Sequence, residues 1–269
     1  MKIEIQNLEH IYPTGEKALD GVSFTLDNNE RVAIIGQNGA GKTTIVKHFN
    51  GILRPTAGKV LLDGVDIEAK STPEWAARVG YVYQNPDDQL FLDSVRDEFQ
   101  FGAKQIGMRT ERIEQLLVEV AELVGLSDKL DVNPFDLTQT EKKFCAIGSI
   151  VMMDPEVLIF DEPTMGQDVV GNDRLAHIIE VLHNQGKMCV TISHDMKFVV
   201  RCFDRVIVMC HGHKLLDGPT REVFSQIDTL KESFVVPPPI TRIGQALGFK
   251  KTVLTLDELV EEFSKERAK

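Results

Sequence analysis

Apolar residues along the chain fall into two kinds of run. The short kind is "KIEIQ", "VSFTL", "RVAIIG", "KVLL", "VGYVY", "VLIFD", "MCVTIS" and "RVIVMC", and several of these are apolar almost throughout. A strand of that kind is covered on both faces, as in a buried parallel sheet. Helical patterns follow "RVAIIG", "VLIFD" and "MCVTIS", so the order strand, helix, strand predicts an α/β core. Between "YVYQNPDDQLF" and "VLIFD" the pattern turns helical, over Thr110–Val124 and Thr138–Met153 among others. Residues 92–152 are expected to form a helical subdomain inserted in a sheet domain that spans residues 1–219. After "DGPT", residues 220–269 predict two or three amphipathic helices, broken by "VVPPPIT" at Val235–Thr241. That proline run reads as a stiff linker to a small C-terminal extension.

Composition narrows the partners. Forty-one acidic residues against 30 basic ones give a net charge of −11, with no clustered basic face, so nucleic acid is not an expected partner. The N-terminal "MKIEIQNLEHIYP" lacks the apolar core of a signal peptide, and no run approaches the roughly 20 apolar residues a membrane helix needs. Cys145, Cys189, Cys202 and Cys210 show no C-x-x-C spacing and sit among apolar residues, which predicts buried free thiols.

The strongest chemical signal is "GQNGAGKT", that is Gly36, Gln37, Asn38, Gly39, Ala40, Gly41, Lys42 and Thr43, followed by Thr44. It matches G-x-x-x-x-G-K-[ST] between a predicted strand and a predicted helix, "TTIVKHFNGIL". Glycines there let successive backbone N–H groups cradle phosphate, Lys42 reaches the β- and γ-phosphates, and Thr43 offers a hydroxyl to Mg²⁺. "VLIFDEP" ends a second buried strand in Asp161 and Glu162, at the strand end where open α/β sheets bind ligands. Asp161 fits a carboxylate that helps hold Mg²⁺, or else the cap of a following helix; Glu162 is placed to polarise an attacking water. His194 ends a third core strand in "VTISHD", and Gln84 follows "VGYVY". Taken alone, His194 reads more readily as a structural residue or a cap, and Gln84 as an ordinary polar residue after a strand.

"LTQTE", Leu137 to Glu141, poses a separate question. Thr138 with Glu141 three residues on forms a capping box, and a helix start can also face an anion.

In this order the motifs resemble the ATP-binding-cassette (ABC) ATPases over nearly the first 220 residues. The resemblance implies a phosphate-loop (RecA-like) nucleotide-binding domain with an antiparallel β subdomain, binding ATP and Mg²⁺. It implies that Tyr12 stacks on adenine, that Gln84 touches Mg²⁺ and senses a membrane partner, that Glu162 is the catalytic base and that His194 senses the γ-phosphate. Asp168 in "MGQD" is similar to the family's D-loop aspartate. "QNPDDQLF" and the "PPPITRIGQALG" tail look like energy-coupling-factor ATPases, importers of vitamins and transition-metal ions. There Asn85-Pro86-Asp87-Asp88-Gln89 is expected as a short helix gripping arginine-bearing helices of a membrane scaffold, with Asp87 and Gln89 as its polar contacts; the other expectation is a Pro-initiated helix start without a partner.

The family has L-S-G-G-Q where this chain has LTQTE. Leu137 is kept and Thr138 keeps a hydroxyl, but Gln139 and Thr140 replace both glycines and Glu141 replaces Gln. Side chains at glycine positions obstruct close backbone approach to phosphate, so this segment is expected to be capped first, with weakened phosphate contact. Each composite site joins one subunit's phosphate loop to the other's signature. A heterodimer with a second ATPase is therefore favoured over a homodimer, beside a scaffold and a substrate-binding membrane subunit, at the cytoplasmic face of the membrane. A soluble non-transport ATPase and a clamp with little hydrolysis stay open.

Overall fold

The computed structural model describes residues 1–267. Its frame is a six-stranded sheet, in the order β10-β9-β3-β8-β7-β6. The strands are β3 (Arg31–Ile35), β6 (Val79–Val82), β7 (Val157–Asp161), β8 (Met188–Ile192), β9 (Arg205–Cys210) and β10 (His213–Pro219). β6, β7, β8, β3 and β9 run parallel, and β10 closes one edge antiparallel to β9. β6, β7 and β8 are buried at every residue, as continuous apolar runs require.

A second, antiparallel sheet, in the order β2-β1-β4-β5, lies against it. Its strands are β1 (Ile3–Ile11), β2 (Lys17–Leu26), β4 (Ala57–Leu62) and the two-residue β5 (Val65–Asp66). One apolar core fills the space between the sheets, with Phe49 and Trp75 fully buried in it beside the short helices α1 (Lys42–Val46) and α2 (Thr72–Ala76). The helix after the phosphate loop is thus shorter than "TTIVKHFNGIL" predicts; residues 47–51 continue as turns.

The other core lies on the far face of the parallel sheet and extends into α3 (Val95–Gln105), α4 (Thr110–Val124) and α5 (Gln139–Val151). No strand interrupts residues 92–152. α4 has the predicted bounds, ended by Gly125 at φ 73°, a left-handed conformation suited to glycine. α5 starts one residue after Thr138, its cap. α6 (Val169–Asn184) and α7 (Met196–Cys202) pack on the same face of the sheet.

The C-terminal part differs from expectation in two ways. Among the described residues it holds four helices, α8 (Thr220–Ser225), α9 (Ile227–Glu232), α10 (Pro239–Ala246) and α11 (Leu256–Arg267). The proline run, expected as a stiff linker, is packed against the protein: Val235, Pro237 and Pro238 are buried, and Pro239 opens α10 at its first helical position, where a missing N–H costs nothing. The thiols are free, and Cys145, Cys189 and Cys202 are buried; Cys210, at the end of β9, is partly exposed, which corrects the expectation of four buried ones. Among the described residues no helix is long and apolar enough to cross a membrane.

Candidate active site

The site follows from strand register. Ile34 of β3 and Asp161 of β7 both pair with Ile192 of β8, so the three strands end level. The loops that leave them carry Gly36 to Thr43, Glu162 and His194, and β6, beside β7, leads to Gln84. Four neighbouring strand ends thus bring together residues far apart in sequence, at the edge where such sheets bind ligands.

The phosphate loop needs its glycines. Gly36, Gly39 and Gly41 have φ of 146°, 77° and 94°, and a Cβ on Gly36 would lie 2.1 Å from the Met209 carbonyl oxygen. Lys42, 7% exposed, donates to the Gly36 and Gln37 carbonyls at 2.8 Å each. An ammonium has three N–H groups, so one remains for a ligand. Burial lowers its pKa, while Glu162 and Asp161 work against that shift.

Asp161 caps no helix. Its Oδ2 accepts from Tyr81 Oη at 2.5 Å and faces the Thr43 hydroxyl at 3.4 Å. Burial and the Asp161 charge push the Tyr81 phenol up, so it keeps its proton and donates. Asp168 is the cap instead, accepting from the Gly171 N–H at 2.7 Å at the start of α6.

Glu162 stands in the left-handed region, φ 47°, uncommon for a residue with a side chain. Its backbone N–H donates to Ile192 O at 2.9 Å, which holds it to β8. Its Oε2 accepts from the His194 backbone N–H at 3.2 Å, and Oε1 lies 3.3 Å from His194 Nε2. Burial raises the carboxyl above its ordinary value, partly offset by that N–H and by Lys42. Burial, then Lys42, lowers the imidazole of His194. A carboxyl whose pKa is raised, beside an imidazole whose pKa is lowered, suits a general base.

These groups line a cleft of about 830 Å³ with Tyr12, Asn38 to Thr44, Gln84 and Met165. Tyr12 is half-buried; its hydroxyl meets Thr44 Oγ1 at 2.9 Å and its ring lies edge-on to His10, centroids 4.7 Å apart. Gly36 and Gln37 are outside the lining, and the Gln37 amide turns to His211 Nε2 at 3.2 Å. Gln84 reaches the cleft, but its amide donates to Met165 Sδ at 3.4 Å and not to Thr43 or Asp161.

The donor set fits Mg²⁺. A hydroxyl and a carboxylate face each other, and among the described residues no cluster of three or more His, Cys, Asp or Glu could cage a metal by itself. Mg²⁺ takes one or two protein oxygens and completes its shell with phosphate and water.

The signature segment lies outside this cleft. Thr138 Oγ1 accepts from the Glu141 N–H at 3.3 Å, and Glu141 Oε2 accepts from the Thr138 N–H at 3.0 Å, a complete capping box. Glu141 also pairs with Lys129. Pro86–Asp88 is the short helix expected, a 3₁₀ turn capped by Asn85. Its polar residues are taken up within the chain: Asp87 pairs with Lys142 at 2.9 Å, and the Gln89 amide donates to Ala146 O and Ser149 Oγ. Sequence reasoning missed Tyr81, Lys142 and Lys143. Tyr81 was readable only as a strand aromatic, since its use depends on the β6–β7 register; the lysines carried no motif.

A glycine-lined phosphate loop, an acidic pair and a histidine on adjacent parallel strand ends define a phosphate-loop nucleotide-binding protein. The family model described as ABC transporter matches residues 19–165. The energy-coupling factor transporter ATP-binding protein EcfA2 of Clostridium tetani is 36% identical over 98% of this chain and 97% of its own. EcfA of Methanocaldococcus jannaschii is 36% identical over 93% and 91%. The structure of cbiO1 from Clostridium perfringens, part of the ABC transporter complex cbiONQ, matches with TM-score 0.77 at 30% identity, over 92% of this chain and 98% of that one. The MJ0796 cassette dimer bound to ADP and Pi shares the fold, with TM-score 0.74 at 21% identity over 81% and 99%. The chain belongs to the ABC transporter family, as one of its ATPases.

Proposed function

We propose that this chain is the ATP-hydrolysing subunit of an energy-coupling-factor importer of a micronutrient, a vitamin or a transition-metal ion. It works as a heterodimer with a second ATPase, bound peripherally to the cytoplasmic face of a membrane complex of scaffold and substrate-binding subunits. The observation that carries this reading is the meeting of Lys42, Thr43, Asp161, Glu162 and His194 in one cleft. Lys42 and the loop amides stabilise phosphate charge. Thr43 and Asp161 would hold Mg²⁺, which supplies charge neutralisation on the β- and γ-oxygens. Glu162 orients or deprotonates the attacking water, and His194, in contact with it, stabilises the closed state.

Support for a membrane partner comes from a second groove of about 730 Å³, lined by Gln89, Phe91, Phe101, Ile106 and Met153 among others. Phe91 is 61% and Phe101 40% exposed. An apolar groove beside the Pro86–Asp88 turn suits a helix from a membrane subunit, and motion there would pass closure of the cleft to it.

Titration calorimetry with MgATP tests the nucleotide half: heat of binding is expected, and none would overturn the proposal. Capture from membranes followed by mass spectrometry tests the other half, which predicts an integral membrane protein together with a second ATPase.

A further inference from the structure

Two lysines follow the signature segment, and neither lies on the surface: Lys142 is 8% and Lys143 3% exposed. A buried ammonium opposes folding unless acceptors replace its water. Lys143 Nζ donates to the Gln84 carbonyl and approaches that of Tyr83 at 3.5 Å. One residue earlier, Lys142 Nζ meets Asp87 Oδ1 at 2.9 Å. Further along α5, the Gln89 amide donates to Ala146 O at 2.7 Å and Ser149 Oγ at 3.0 Å, while its Oε1 accepts from the Tyr83 N–H at 3.1 Å. Residues 83–89 are therefore fastened to two successive turns of one helix.

Their ties to the sheet side are softer. Among the described residues these include the Tyr83 ring, edge-on to Tyr81 with centroids 5.1 Å apart, and the Gln84 amide on a methionine sulfur, a weak acceptor.

We propose that Lys143 is a positioning residue that pins Tyr83–Gln89 to α5, so that the rim of the nucleotide cleft moves with the signature helix and not with the sheet. The proposal rests on the reading of the cleft as an ATPase site coupled to a partner through this segment. A buried lysine suits the task because its ammonium reaches two consecutive carbonyls, and parting from both would strand the charge. A shift of α5 away from the sheet thus moves the cleft rim with it.

Hydrogen exchange on the full chain without nucleotide tests this. Lys143→Met keeps the length and apolar stem and removes the donor. Exchange at the Tyr83, Asp88, Gln89 and Leu90 amides is expected to rise roughly tenfold or more, with α5 and β7 unchanged and MgATP affinity within about threefold of the parent. Lys143→Arg, which keeps charge and donors, should bring exchange back to within about threefold of the parent. Unchanged exchange at those amides would overturn the proposal. So would a rise spread evenly through α5 and β7, which marks a general packing role. The exchange result stands apart from nucleotide binding: a parent chain that gave no heat with MgATP would remove the ATPase reading and leave the pin measurable.

Discussion

The phosphate loop and the signature segment are both helix starts, and they differ in what forces their residues. At Gly36 and Gly41 the backbone is left-handed or close-packed, and a side chain on Gly36 would strike the Met209 carbonyl, so the site dictates the sequence. Gln139 and Thr140 are ordinary residues in the first turn of α5, one exposed and one half-buried, under a Thr138 cap that satisfies the helix by itself. Local structure there tolerates almost anything; only close approach by a ligand would require glycine. On the proposed reading, the chain keeps the half of the ATPase that acts on its own nucleotide and alters the half it would present to a partner.

Four substitutions probe this contrast. Glu162→Gln should lower turnover by roughly 10²–10⁴ while leaving ATP affinity intact, measured as steady-state phosphate release beside calorimetry. Near-normal turnover would remove Glu162 as the base. Lys42→Ala should weaken ATP binding by about tenfold to a hundredfold, the loss of a hydrogen bond from a charged group. The double change Gln139→Gly with Thr140→Gly is expected to raise the turnover of the chain alone several-fold, although each glycine costs the helix about 1 kcal/mol. Thr138→Ala should cost about 1 kcal/mol and lower the melting temperature by about 2–4 °C, without affecting ATP binding in this chain's own cleft.

A smaller effect concerns pH. Burial raises the folded-state pKa of Glu162 above its unfolded value, so its ionised form opposes folding, and stability falls as pH rises from the ordinary glutamate range through the raised value. Glu162→Gln should therefore be more stable than the parent at neutral pH, with the gain vanishing in acid. For the same reason the acid limb of turnover should lie above the ordinary glutamate range. Thermal melts and rate profiles across pH check both.

How much was legible depended on whether the information was local. The phosphate loop spells out its own conformation, and β7 announces itself as four apolar residues ending in two acids. α4 was readable to the residue because its apolar period and Gly125 mark its whole length. β10 was not, since "HKLLDGP" is an edge strand with charged and turn-forming residues and no clean alternation. The proline run looked like a linker because stiffness can be read locally, whereas the burial of Val235, Pro237 and Pro238 depends on packing that no local pattern spells out. Lys142 and Lys143 belong with it. Lysines after a capping box read as solvent residues, and only the packing of α5 against Tyr83–Gln89 shows where their charges go. Asp161 and Asp168 show the same limit: either could cap a helix, and the β6 register, through Tyr81, commits the first to the cleft.

An intact catalytic half joined to an altered signature half governs the steady-state ATPase activity of the purified chain by itself, at concentrations where it can pair with its own copies. Slow turnover without cooperativity in ATP is predicted, despite normal MgATP binding. Brisk, cooperative hydrolysis by the chain alone would contradict the account.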